Sequence, residues 1–193
     1  MPTTSAFPPS ASPAPRTRAL AENPRLANRA IELLQTFQAF VRMDADDARS
    51  VVAYLREVAY ARGDLLFAAG DQRSSSYLLL LLEGEVAVDA GGTGPGAAVP
   101  ISVLGAGSVL GEMALLDGAP RSATCTALSD IQAAGLSRRG LERLIDEHPK
   151  VAAKLLAGLL QRMSERLRAL GEQLELYGQV SAPLPPGPDR PRG

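Results

Sequence analysis

The sequence predicts an α+β chain that is mainly β: an antiparallel β-barrel or jelly roll, flanked by N-terminal helices and a long C-terminal helix. Three observations predict it. Between residues 58 and 136, short apolar runs alternate with glycine-bearing turns, the spacing of a small antiparallel barrel. Before that region apolar residues recur at helical spacing, and after it they recur at intervals of four and three over a long stretch.

Residues 1–22 are rich in Pro, Ser, Thr and Ala, can bury little, and read as a disordered arm. Residues 23–57 read as N-terminal helices. Asn23 can cap the first and Pro24 suits its first position, with Leu26, Ala30, Leu33, Leu34, Phe37 and Val41 on one face. A second helix follows Asp44 and carries Val51, Val52 and Leu55 toward the core. From Val58 the period shortens. Val58–Ala61 ends at Arg62-Gly63-Asp64, and Leu65–Ala68 ends at Gly70-Asp71. The run Tyr77–Leu82 meets Glu83-Gly84-Glu85, read as a tight hairpin connection returning through Val86–Val88. Gly91–Gly96 is a flexible loop. Ile101–Leu104, Ser108–Leu110, Ser122–Leu128 and Ile131–Leu136 complete a barrel over 58–136.

Helices then resume over 137–177. Ser137 can cap one that bears Leu141, Leu144 and Ile145, and His148-Pro149 resets the chain. The long helix beyond carries Leu156, Leu160, Met163, Leu167, Leu170, Leu174 and Tyr177, a heptad seam that favours a dimer coiled coil. The alternative is a stripe that packs on the helix's own domain. Gly178 is read as the helix end, and residues 178–193 as a disordered proline-rich tail.

Composition narrows the function. A chain of 193 residues with net charge −1 fits one domain with tails and calls for neither nucleic acid nor an anionic membrane. No signal-peptide segment or membrane-length apolar run is present, so the expectation is a soluble cytoplasmic protein. Cys125, the single cysteine, excludes an internal disulfide and reads as a small core residue. His148 is the single histidine, which argues against a His-based metal site and a His-dependent triad. No catalytic residue and no metal ligand is assigned. Gly105-x-Gly107-x-x-x-Gly111 has the wrong spacing for a dinucleotide fingerprint, and Arg138-Arg139 reads as a solvated helix start.

The informative stretch is Gly111 to Thr124, within a segment 110–124. It opens with Gly-Glu, runs through one apolar helical turn, breaks at Asp117-Gly118 and closes on Pro120-Arg121-Ser122-Ala123. The start of a short helix presents free N–H groups, and an arginine just beyond can add a fork to the same anion. A glutamate there would repel phosphate, so it needs another task, such as accepting from a sugar hydroxyl. A ribose carrying a compact phosphate meets all three conditions.

This stretch resembles the phosphate-binding cassette of cyclic nucleotide-binding domains, through the pattern Gly-Glu-x-Ala-Leu-x-x-x-x-Pro-Arg-x-Ala. The resemblance extends over roughly residues 35–175, including the Gly63–Asp71 and Tyr77–Val86 runs. It implies Glu112 on the ribose 2′-hydroxyl and Arg121 on the cyclic phosphate, with contacts from Gly111, Met113, Ala114, Ser122 and Ala123. It also implies that the long helix is dimer contact and lid, with Arg166 and Leu167 at the positions where the family meets the base. A hydroxyl residue after the arginine accompanies cAMP in the family's bacterial regulators, while threonine there goes with cGMP in some kinases. Ser122 is compatible with both, and the reading favours cAMP, with cGMP second. Arg166 could stack on a purine or accompany a solvent-facing seam.

The favoured reading is a cyclic-nucleotide receptor module, not an enzyme, without a cofactor. It is a homodimer through the 150–177 helix and relays ligand state to an effector protein. The helix-turn-helix that follows this helix in the family's transcription regulators is not expected here, so direct DNA binding and membrane association rank last. The alternative is a structural or protein-interaction domain whose pocket is empty or takes cGMP or a cyclic dinucleotide.

Overall fold

The computed structural model describes residues 18–37, 41–72, 76–89 and 100–180. A two-residue strand β1 (Arg18–Ala19) and a 3-10 turn (Leu20–Glu22) lead into α1 (Pro24–Gln35) and α2 (Ala45–Val52). Strands β2 (Arg56–Tyr60), β3 (Leu65–Phe67), β4 (Tyr77–Glu83), β5 (Val86–Asp89), β6 (Pro100–Leu104) and β7 (Val109–Leu110) follow. The short helix α3 (Glu112–Asp117) comes next, then β8 (Thr124–Ala127), β9 (Ile131–Ser137), α4 (Arg138–Glu147) and α5 (Pro149–Val180).

Local chemistry sets the helix starts. The Asn23 side chain accepts from the Leu26 N–H at 3.4 Å, and Pro24 occupies the first turn, where its missing donor costs nothing. Asp44 accepts from the N–H groups of Asp46 and Asp47 at 2.9 Å, and the Asp47 carboxylate returns a bond to the Asp44 N–H at 3.0 Å. Ser137 Oγ caps α4 through the Gly140 N–H at 3.1 Å.

The strands form two antiparallel sheets in the jelly-roll manner, ordered β1-β2-β9-β4-β7 and β3-β8-β5-β6. Val58, Leu79, Leu81, Ile131 and Ala133 of the first pack with Phe67, Val86, Cys125 and Ala127 of the second. The opposite face of the first sheet, carrying Leu78, Leu80, Leu82, Ala134 and Leu136, is covered by the helices. Both faces of β4 are therefore buried, which is why Leu78–Leu82 is a continuous apolar run instead of an alternation.

Five expectations are corrected. Residues 18–22 do not belong to a disordered arm: Leu20 is fully buried and its N–H bonds the Leu55 carbonyl at 3.0 Å. Residues 1–17 and 181–193 and the Gly91–Gly96 loop lie outside the described residues. The strand expected from Val58 begins at Arg56, because Arg56 pairs with Gly135. The β4–β5 connection is not a hairpin, since β4 pairs with β7 and β9 while β5 pairs with β6 and β8. At Gly84 (φ +91°) the chain crosses between sheets, so close to Asp130 that a Cβ would stand 2.4 Å from its carbonyl oxygen. Val41 and Ile145 are exposed instead of facing the core. Finally, α5 runs through Gly178 to Val180.

Arg18 donates to Glu57 from Nε at 2.6 Å and from Nη2 at 3.2 Å, tying β1 to β2. The Arg18 bond holds the Glu57 carboxyl below its ordinary value against the opposing effect of burial, with Asn23 adding a second donor. A depressed carboxylate pKa contributes stability above the unfolded value and loses it as pH falls through the folded one. Amide exchange at Leu20 should therefore accelerate below about pH 4, and more so than at Leu79 in the sheet interior. Equal acceleration at both would show that the Arg18–Glu57 pair does not anchor β1.

Candidate functional site

The cassette is built where β7 ends and β8 begins. Gly111 adopts φ +75° and turns the chain from β7 into α3, which Gly118 ends at φ +73°. The turn buries Glu112 at 6 % exposure, and Arg121 sits at 3 %; these are the buried charged residues among those described. Burying a charge is costly unless its donors or acceptors are met. For Arg121 they are met by the walls around it. Nη1 donates to the Gly111 carbonyl at 2.9 Å and Nη2 to the Tyr77 carbonyl at 2.7 Å. The guanidinium carbon lies 3.7 Å from the centre of the Phe67 ring and 5.0 Å from that of Tyr77. Burial pulls the Arg121 pKa down, opposed by Tyr77, Cys125 and Asp71, but an arginine stays protonated at any working pH.

Gly111, Glu112, Met113, Ala114, Arg121, Ser122 and Ala123 all line one cavity of about 50 Å³, together with Phe67, Cys125 and Arg166. Burial pushes the Cys125 thiol up to about 11, so it packs as an inert core residue. A second cleft of about 320 Å³ lies between the β7 segment and α5. It shares Glu112 and Arg166 with the first and adds Ser108, Arg162, Met163 and Glu165.

The expected base contacts part company. Arg166 reaches the cassette, with Nη1 3.4 Å from Glu112 Oε1 and Nη2 3.4 Å from the Val109 carbonyl. Its guanidinium therefore faces Glu112 and does not lie in the outer seam. Leu167, one residue on, is 72 % exposed and lines neither cavity, because a one-residue step turns a side chain about 100° around a helix.

The seam residues Leu160 and Leu167 are exposed, while α5 packs on its own domain through Ala152, Leu155, Gly158 and Leu159. The domain-facing stripe is thus offset from the heptad seam, and the two coexist on one helix.

Two arginines make contacts that the sequence reading did not assign, Arg138 having been read only as a solvated helix start. Arg138 donates to the Ala114 carbonyl at 3.3 Å and so connects α4 to the end of α3. Arg162 donates to the Gly107 carbonyl at 2.8 Å and to Thr36 Oγ1 at 3.2 Å, and lies 4.2 Å from the centre of the Phe37 ring. It fixes the first half of α5 to the β6–β7 turn and to the end of α1. Only pairwise distances in the fold reveal either role, since both residues sit in arginine-rich surroundings. Among the described residues no group of three His, Cys, Asp or Glu could hold a metal ion, and no helix is long and apolar enough to cross a membrane.

Residues 57–148 match the family model described as "Cyclic nucleotide-binding domain". A crystal structure of a cyclic nucleotide-binding domain from Methylobacillus flagellatus is 31 % identical at a TM-score of 0.73, covering 79 % of this chain and 84 % of that one. The Cyclic AMP receptor protein of Thermus thermophilus is 33 % identical over 114 residues, which are 59 % of this chain and 51 % of the relative. The CRP-like cAMP-activated global transcriptional regulator of Mycobacterium tuberculosis is 24 % identical over 156 residues, 79 % of this chain and 68 % of the relative. The match reaches from β2 to the end of α4 and encloses the buried Glu112–Arg121 cassette, and the chain belongs to the cyclic nucleotide-binding domain family.

Proposed function

We propose that this chain is a receptor for a cyclic mononucleotide, with cAMP as the leading ligand and cGMP second. It acts in the cytoplasm without catalysis and relays ligand state to an effector protein or a second copy through α5. The observation that carries the reading is the burial of Glu112 and Arg121 in one cavity wall, nine positions apart in sequence. In this reading Arg121 forks onto the cyclic phosphate and Glu112 accepts from the ribose 2′-hydroxyl. Gly111, Met113, Ala114, Ser122 and Ala123 shape the seat around them. The exposed Leu160 and Leu167 supply the apolar surface for a dimer contact.

Thermal melts test the reading. At a ligand concentration about 100-fold above the dissociation constant, cAMP should add ~2.7 kcal/mol to the stability of the native state. A response to neither cAMP nor cGMP contradicts the reading. One observation favours a second reading, a protein-interaction domain whose pocket is empty. The cassette cavity, at about 50 Å³, is small beside the roughly 300 Å³ of an ordinary ligand pocket. No melting shift with cAMP, cGMP or cyclic di-GMP would favour that alternative.

A further inference from the structure

The Arg138-Arg139 pair at the start of α4 is split between two tasks. Arg138 bonds the Ala114 carbonyl of α3, while Arg139 is exposed and makes no hydrogen bond or ion pair among the described residues. Arg139 lines an open cleft of about 510 Å³, together with Arg56 of β2 and Arg143, one turn further along α4. Ala53, Tyr54 and Leu55, the link from α2 to β2, contribute the apolar part of the lining. Gly140 lets α4 approach this link, since a Cβ on it would stand 3.3 Å from the Tyr54 carbonyl oxygen. The cleft shares no lining residue with the two cavities at the cassette.

Three guanidinium groups line this cleft, and among the described residues no aspartate or glutamate does. Like charges gathered along a concave wall focus an attractive potential for the opposite sign. The attraction does not come from the helix start, because Ser137 Oγ already accepts from the Gly140 N–H at 3.1 Å. Arg143 is held in place from outside. Its Nε and Nη2 donate to Glu147 Oε1 at 3.1 and 3.0 Å, and the Tyr54 hydroxyl donates to Glu147 Oε2 at 2.6 Å. Glu147 does not line the cleft, so it orders Arg143 and Tyr54 without occupying the space beside them. The donors of Arg139 stay open.

A carboxylate matches an arginine fork through two parallel hydrogen bonds. The cleft is far larger than one carboxylate needs, and its apolar lining suits a peptide side chain beside the charge. A long polyanion fits poorly. By helical spacing Glu142 and Asp146 share the side of α4 that carries Arg139 and Arg143, and both are exposed. With Glu147 they repel a nucleic acid or an anionic membrane that extends past the cleft, and a net charge of −1 adds no long-range attraction. We propose that the cleft docks a protein partner through a short acidic segment, an apolar side chain flanked by carboxylates. The proposal holds whether or not a nucleotide occupies the cassette.

The test uses the full chain without nucleotide and a capped, dye-labelled peptide with one leucine between two pairs of glutamates. Fluorescence anisotropy should show saturable binding with a dissociation constant below ~1 mM, and none when glutamines replace the glutamates. Arg139→Glu should weaken binding by about fivefold or more, because it removes an attraction and adds a repulsion. Arg139→Lys should stay closer to wild type than to R139E. Arg62→Glu makes the same change in net charge at the exposed turn after β2 and should leave binding unchanged. The gap between wild type and R139E should narrow as salt rises from ~50 to ~500 mM. Position 139 is exposed, so R139E should melt as wild type does. Absence of saturable binding, or an affinity of R139E equal to that of R62E, overturns the proposal. So does a duplex DNA or a vesicle of anionic phospholipid that binds more tightly than the peptide and loses that binding in R139E.

Discussion

Replacing Arg121 with alanine should weaken cAMP binding by about 2–5 kcal/mol, the range found when one member of a buried, hydrogen-bonded charge pair is removed. In affinity this is a loss of roughly 30- to 5,000-fold. The size follows from burial. At 3 % exposure the guanidinium is screened from water, so its attraction for an anion is far stronger than at the surface. Arg121 also braces the fold through Gly111, Tyr77 and Phe67, so the alanine variant should melt earlier as well. Arg121→Lys separates the two effects, because it keeps the charge and loses the planar fork. Lysine should hold part of the stability and still bind at least tenfold more weakly, which calorimetry and a melt on the same sample would show. Unchanged affinity in both variants would remove Arg121 from the site.

Gly111→Ala should produce the second large effect without touching a charged group. A Cβ at position 111 would stand 1.9 Å from Arg121 Nη1 and 3.3 Å from the Phe67 ring. The backbone there has φ +75°, which costs an alanine about 1 kcal/mol before any clash. The clash falls on the end of a long side chain, so the guanidinium moves and the bond to the Gly111 carbonyl breaks. Stability should fall by about 1–2 kcal/mol, and cAMP affinity by about tenfold or more if Arg121 grips the phosphate from its present seat. A variant that is less stable but binds normally would mean that Arg121 leaves that seat when ligand arrives.

The cassette could be read from sequence because its chemistry is local. Gly111, Glu112 and Arg121 fall within eleven residues, and a turn, one helical turn and an extended segment bring them to one wall whatever the rest of the chain does. The short strands were equally legible, since alternation and glycine turns mark them individually. Which sheet each strand joins was not. The Glu83–Glu85 connection has hairpin length, and only the pairing of β4 with β7 and β9 shows that it crosses between sheets.

The packed face of α5 was hard to read for a related reason. Counting apolar residues found the seam of Leu156, Leu160, Met163 and Leu167, of which Leu160 and Leu167 are exposed while Leu156 packs against the core. The packed face, however, uses Ala152 and Gly158 beside Leu155 and Leu159, and Gly158 is in contact with Phe37. Small residues that permit close approach carry little weight in a hydrophobicity count. Leu20 was missed because one apolar residue in a polar, proline-rich stretch has no periodicity to betray it. The Arg166–Glu112 contact joins positions 54 apart and could be seen only once α5 had been placed over the cassette.

One buried wall should bind phosphate through Arg121 and ribose through Glu112, and a crystal structure of the protein with cAMP shows whether it does. A phosphate oxygen is expected about 2.7–2.9 Å from an Arg121 guanidinium nitrogen, with the ribose 2′-hydroxyl within about 3 Å of the Glu112 carboxylate. A nucleotide seated elsewhere, or one whose phosphate leaves Arg121 bonded as before to Gly111 and Tyr77 and touches neither charged residue, would contradict it.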